Sequence, residues 1–208
     1  NQTDYFVFKG EPMGYSFEML KRFADHLNLQ LEILTENDFD KAYELMQSGK
    51  ADIMALSLTE NSNRKELMGF TDPLFETRQV LVQRKPFGWR NMTLEALDKK
   101  LIRSQADLAG KNIYVQKGSS YRQSITIIGQ ETGKKINIID VPYDSEELIK
   151  QVSRGEIEMT VCDENICGLM TKIYPHLDFS TPVSSPQKVA WCVRKSGSDV
   201  LLREFNSW

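Results

Sequence analysis

Apolar positions change their period several times along the chain, and each change marks an element. From Gly14 onward Phe17, Leu20, Phe23, Ala24 and Leu27 recur at helical spacing, and Leu29 to Leu34 (LQLEIL) then alternates as a strand does. Phe39, Ala42, Leu45 and Met46 form the stripe of a second helix, for which Asn37 or Asp38 is the candidate cap and Gly49 the stop. Ala51 to Leu56 then resumes as a buried strand. Strands alternating with helices predict parallel pairing and an α/β layering.

Gln79 to Arg84 (QVLVQR) reads as a further strand, and the Pro/Gly break Lys85-Pro86-Phe87-Gly88 follows it. The alternation then starts again. Asn112 to Gln116 is a predicted strand, Ser119 to Ile128 a helix, Ile136 to Val141 a strand, and Asp144 to Ser153 a helix opened by a capping box of Asp144 and Glu147. Met159 to Cys162 is a strand, Gln187 to Arg194 (QKVAWCVR) the last one, and Asp199 to Trp208 a short helical piece. Two α/β series predict two lobes. QKVAWCVR matches QVLVQR in pattern; if the two pair, residues 1–85 with 187–208 form one lobe and residues 86–186 an inserted second, joined through a two-strand hinge.

Composition narrows the partners. The 208 residues carry 26 Lys and Arg against 29 Asp and Glu, and the one local basic cluster, Lys99-Lys100 to Arg103, is short, so nucleic acid is not expected as a partner. No apolar run approaches the roughly 20 residues of a membrane-spanning helix, and the first residues lack the layers of a signal peptide. The mature part of an exported protein would read the same way. Three cysteines are too few for a disulfide framework, and with His26 and His176 far from Cys162 and Cys167 in sequence they predict buried small side chains rather than a zinc site.

The chain lacks GxGxxG, Walker, HExxH, GxSxG and CxxC motifs, so neither a cofactor nor a metal nor a nucleophilic triad is expected. What remains is polar chemistry just beyond predicted strand ends, where open α/β sheets bind ligands. Ser57, Thr59 and Arg64 follow one strand, Gly118, Ser119 and Ser120 a second, and Asp163 a third. Together they suit a zwitterion: Arg64 forks onto a carboxylate, the serines complete its shell at a helix N-terminus, and Asp163 pairs an ammonium. Tyr5, Phe6, Phe75 and Tyr121 are the aromatic candidates to cover the apolar part. Each has a plainer reading, Ser119 and Asp163 as helix caps, Arg64 as a solvated charge, Tyr5 and Phe6 as core.

At these residues the chain resembles the family 3 extracytoplasmic solute-binding proteins. The shared elements are Gly14 to Glu18 (GYSFE), Ser48 to Asp52 (SGKAD), Leu58-Thr59 with a following arginine, Phe70 to Pro73 (FTDP), Asp107 to Lys111 (DLAGK), the Gly118-Ser119-Ser120 loop, and Gly155 to Glu158 through Asp163. The resemblance implies a two-lobed, type 2 periplasmic-binding-protein-like α/β fold with a central cleft, and a monomer in the periplasm. It also implies that Arg64, Ser119 and Ser120 hold a ligand carboxylate and Asp163 its amino group. The family's arginine usually follows the threonine by three residues, whereas Arg64 follows Thr59 by five. Residues 3–27, Gly88 to Arg90, LIRSQADLAGK and YVQKGSSYRQS are similar to one branch, the regulatory domains of F-type membrane-bound lytic murein transglycosylases, which precede a lysozyme-like catalytic domain. That implies a non-enzymatic sensor of a small amino acid or cell-wall peptide, with a C-terminal transglycosylase in cis. The alternatives are a free amino-acid receptor of an ABC importer and an enzyme similar to the cyclohexadienyl dehydratases.

Overall fold

The computed structural model describes residues 4–36 and 38–208. In chain order it has β1 (Phe6–Phe8), β2 (Glu11–Met13), α1 (Tyr15–His26), α2 (Phe39–Gln47), β3 (Ile53–Thr59), α3 (Ser62–Leu67), β4 (Met68–Phe70) and β5 (Phe75–Thr77). There follow β6 (Gln79–Arg84), α4 (Leu94–Asp98), β7 (Asn112–Gln116), α5 (Tyr121–Thr132), β8 (Asn137–Val141) and α6 (Ser145–Arg154). The chain closes with β9 (Met159–Asp163), α7 (Glu164–Ile173), β10 (Leu177–Pro182), β11 (Gln187–Arg194) and α8 (Asp199–Ser207). It divides into two compact units, Asn1–Glu76 with Gln187–Trp208, and Thr77–Pro186.

In the first unit β11 lies between β3 and β4, antiparallel to both, and β5 pairs with it as well. Successive side chains of β11 point to opposite faces, so one strand serves two cores. Trp191 joins Leu20, Phe23 and Phe205, while Cys192 joins Met46, Met54 and Met68. The helix α1 starts at Gly14, whose φ of 126° and closeness to the Asp4 carbonyl oxygen, 2.4 Å from where a Cβ would lie, both require glycine. Asp38 caps α2 by accepting the N–H groups of Asp40 and Lys41; Asn37, the other candidate, lies outside the described residues.

One expectation for this unit needs correction. Leu29 to Leu34 forms no strand among the described residues, although Leu31 and Ile33 pack against the Trp191 cluster. Alternation reports a buried face, and a face can be buried without a ladder partner. Phe6–Phe8 forms a separate two-stranded hairpin with Glu11–Met13.

The second unit is one mixed sheet in the order β10-β6-β9-β7-β8. Parallel pairing holds for β7 with β8 and with β9, whereas β6 is antiparallel to both β9 and β10. Here too alternation divides the core. Val80, Val82 and Cys162 face α6 and α7 residues Leu148, Val152 and Ile166, while Leu81, Val161 and Val115 face Tyr121, Ile125 and Ile128 of α5. The expected pairing of QVLVQR with QKVAWCVR does not form: β6 has β9 and β10 as neighbours and β11 belongs to the other sheet. The first crossing between units therefore comes at Glu76 to Thr77, ahead of β6, instead of at the Pro/Gly break. Cys162 and Cys167, expected as buried small side chains, are joined by a disulfide between β9 and α7, their Cα atoms 6.8 Å apart, and Cys192 is the buried free thiol.

Candidate functional site

Ligand groups in an open α/β sheet collect where successive crossovers leave to opposite faces, just past the carboxyl ends of the strands. In the second unit that place is beside β7. The helix α5 leaves β7 and packs on one face, α6 leaves β8 and packs on the other, and the chain returns as β9 on the far side of β7. Gly118, Ser119 and Ser120 follow β7 and Asp163 ends β9, so they flank this switch point. Gln79, at the start of the antiparallel β6, is the register partner of Asp163 and comes to the same edge.

The cap readings of these residues do not describe what their side chains do. Ser120 stands at the cap position of α5 and makes no side-chain cap bond; its hydroxyl accepts from Gln79 Nε2 at 2.9 Å. The Ser119 hydroxyl donates to the Gln116 carbonyl at 2.6 Å. Asp163 stands at the cap position of α7 and does not cap it; its Oδ2 accepts from the Tyr121 hydroxyl at 3.0 Å. Gly118, at φ 77°, makes the turn out of β7 that side chains rarely allow. The Ser124 N–H is the first of α5 to bond back, to the Ser120 carbonyl, so the amides of Tyr121, Arg122 and Gln123 precede the helical ladder at an end that favours anions.

Tyr121 is placed differently from its expected part as an aromatic cover. Its ring is only 6% exposed and packs among Leu81, Ile125 and Val161. The hydroxyl crosses the top of the sheet, giving its proton to Asp163 and accepting from Ser145 Oγ at 3.3 Å. Burial, and then the adjacent Asp163 carboxylate, push the phenol well above its usual pKa, so it stays a donor. Two further contacts steady the start of α7: Thr77 Oγ1 donates to Asn165 Oδ1 at 3.2 Å, and Arg78 forks onto Glu164 at 2.9 and 2.7 Å.

The first unit holds the other candidates. The Ser57 hydroxyl donates to Asp4 Oδ1 at 3.1 Å. Thr59 is buried and Arg64 lies close to it: Arg64 is 8% exposed, its Nη1 donates to the Thr59 carbonyl at 3.0 Å, and its guanidinium carbon lies 5.2 Å from the centre of the Phe39 ring. The longer spacing from Thr59 is taken up by α3, whose cap Asn61 accepts the Arg64 N–H. Tyr5 packs edge-on against Phe17 at 6.0 Å, Phe6 pairs with Met13, and Phe75 is partly buried in β5.

Sequence reasoning passed over Gln79, Ser145 and Asp4. A signal existed for Gln79: a glutamine heading an apolar strand buried on both faces needs polar partners. Ser145 read only as the first residue of a helix, and nothing near Asp4 in sequence marked it.

The geometry can be set beside known proteins. The sequence profile of the bacterial extracellular solute-binding proteins, family 3, matches residues 3–155. A membrane-bound lytic murein transglycosylase F of Desulfosudis oleivorans is 31% identical over 99% of this chain and 42% of its own length. The chain thus spans about two fifths of the length of the curated relatives it matches. Among solved structures, an ancestral arginine-binding protein bound to arginine superposes with a TM-score of 0.78 at 25% identity, covering 98% of this chain and 84% of that one. An ancestral amino-acid-binding protein described as a precursor of cyclohexadienyl dehydratase also gives 0.78, at 22% identity, over 100% of this chain and 83% of that one, which shows the fold alone. The fold is the type 2 periplasmic-binding-protein fold.

Proposed function

From the premise that the chain belongs to the bacterial extracellular solute-binding proteins, family 3, we propose that it is a sensor domain for a small zwitterion, an amino acid or a cell-wall peptide. We further infer that its occupancy regulates a lytic transglycosylase encoded beyond Trp208, in the periplasm, as the likeness to the F-type enzymes suggests. The observation that carries the reading is the placement of Asp163. A carboxylate at the end of β9, instead of capping the helix it precedes, is held by the buried phenol of Tyr121, the first residue of the helix that follows the serine loop. Opposite partial charges at one strand-end crevice suit a molecule that carries both an ammonium and a carboxylate.

The reading as a dehydratase is disfavoured by Glu164, one of two candidate acids, which is forked to Arg78. A thermal-shift screen of amino acids and muropeptides tests the sensor reading. A ligand at a hundredfold its Kd stabilises by about 2.7 kcal/mol, a shift of a few degrees for a domain of this size. Asp163→Ala should lose most of that shift. A zwitterion that stabilises both proteins equally removes Asp163 from the site. The regulatory part is tested by the gene: a transglycosylase domain after Trp208 supports it, and an early stop codon supports the importer receptor.

A further inference from the structure

The same sheet has a second concave feature at its other end. β6 runs from Gln79, at the site described above, to Arg84, and a six-residue strand spans roughly 17–20 Å. There a cavity of about 410 Å3 is lined by Arg84, Lys85, Phe87, Lys100, Lys111 and Glu158, among others. Four cations face one carboxylate.

Two of the cations are fixed from behind. The Arg84 guanidinium donates to the Val152 and Ile157 carbonyls at 2.5 and 3.0 Å, and the Lys85 ammonium donates to the Pro175 carbonyl at 2.9 Å while lying 4.3 Å from the Trp89 ring centre. The other two are less engaged. Lys111 has a 3.6 Å ion pair with Glu158, and the Lys100 ammonium has no hydrogen bond or ion pair among the described residues. The cavity is therefore positively charged, with donors still to be used.

Phe87 stands at its rim and is fully exposed, at 103%. It is held outward by the backbone: Pro86 to Trp89 form a turn closed by a 3.1 Å bond from the Trp89 N–H to the Pro86 carbonyl, with Gly88 at φ 74°, ψ 13° in its third place. That is a type II turn, which needs glycine there. The Phe87 ring therefore presents an apolar face to solvent beside a basic cavity.

We propose that this cavity is a carbohydrate subsite for an amino-sugar strand carrying free carboxylates. The cations would take a carboxylate and the Phe87 ring would lie against the apolar face of the neighbouring sugar. Fixed cations around a cavity suit a ligand of defined shape better than a bilayer surface, which a single projecting ring would engage weakly. The relatives' name, murein transglycosylase, places them on a polymer of amino sugars. The site is independent of any ligand at the strand ends.

Fluorescence anisotropy with labelled murein glycan strands freed of their peptides tests the proposal on the chain as it stands. Lys100→Glu and Phe87→Ser should each weaken binding about tenfold, the scale of one good contact, while Lys100→Arg keeps it. Both side chains are exposed, so an unchanged melting temperature shows that folding is intact. The neutral N-acetylglucosamine tetramer should bind far more weakly than the carboxylated strands. Equal affinity in wild type and variants, equal affinity for the neutral tetramer, or no binding by wild type would overturn the subsite. So would loss in both variants only on phosphatidylglycerol vesicles, which would assign the patch to a membrane surface.

Discussion

Replacing Tyr121 by phenylalanine isolates the bond on which the proposed site rests. The ring stays, so the packing among Leu81, Ile125 and Val161 is kept and no cavity opens. What goes is one hydroxyl, with its 3.0 Å bond to the Asp163 carboxylate and the 3.3 Å bond it accepts from Ser145. A hydrogen bond to a charged group contributes about 1.5–3 kcal/mol and a neutral one about 1, offset by no longer burying the phenol oxygen and by water reaching the half-buried Asp163, so a net loss of about 2 kcal/mol is expected. That is roughly a thirtyfold increase in the open population of the segments involved. Native-state hydrogen exchange by mass spectrometry reads it by peptide: residues 121–132 and 159–163 should exchange faster, and peptides from the first unit should not change. A difference below about 0.5 kcal/mol in those peptides, within the scatter of surface substitutions, would show that the Tyr121 hydroxyl does not hold these segments together. The alkaline limb gives a second check. Because the folded phenol has the raised pKa, its contribution is complete below about pH 10 and falls as pH rises toward the folded value, so Tyr121→Phe should flatten that fall.

Gly14→Ala would force a Cβ to within 2.4 Å of the Asp4 carbonyl oxygen at a positive φ, and should cost about 2–4 kcal/mol in urea unfolding; a loss under 1 would show that the start of α1 can relax. Asp178, 5% exposed, would be raised by burial, but its bonds from Arg103, at 2.6 and 3.1 Å, bring its carboxyl below the usual range. Its contribution is present above about pH 4 and lost as pH falls through the lowered value, so Asp178→Asn should lose about 2 kcal/mol at pH 7, less as pH falls. Equal losses at pH 7 and pH 2.5 would contradict this. Burial pushes the Cys192 thiol up to about 12, and Cys162 is bonded to Cys167. Iodoacetamide at pH 8 should leave the folded protein unlabelled, add one label in denaturant and three after reduction; labelling of the native protein would show Cys192 to be accessible.

Much of the fold could be read from the chain because it depends on local pattern. QVLVQR, NIYVQ and QKVAWCVR occupy the strands expected of them, and Asp144 caps α6 as its spacing with Glu147 predicted, because side-chain period and capping act over a few residues. Even the types of residue at the strand ends, a serine loop after β7 and an aspartate ending β9, were visible as chemistry in search of a ligand. Partners were not. Gln79 meets Asp163 only because β6 runs antiparallel to β9, and β6 leaves β11 for another sheet because ladder pairing depends on which edges the folded chain offers. Tyr121 became a brace because its ring fits the core under α5 while its oxygen reaches the end of β9. Local pattern by itself determined the elements and the kinds of polar group they carry. Tertiary structure alone decided which of those groups face one another and which are buried, since that depends on contacts between residues tens of positions apart.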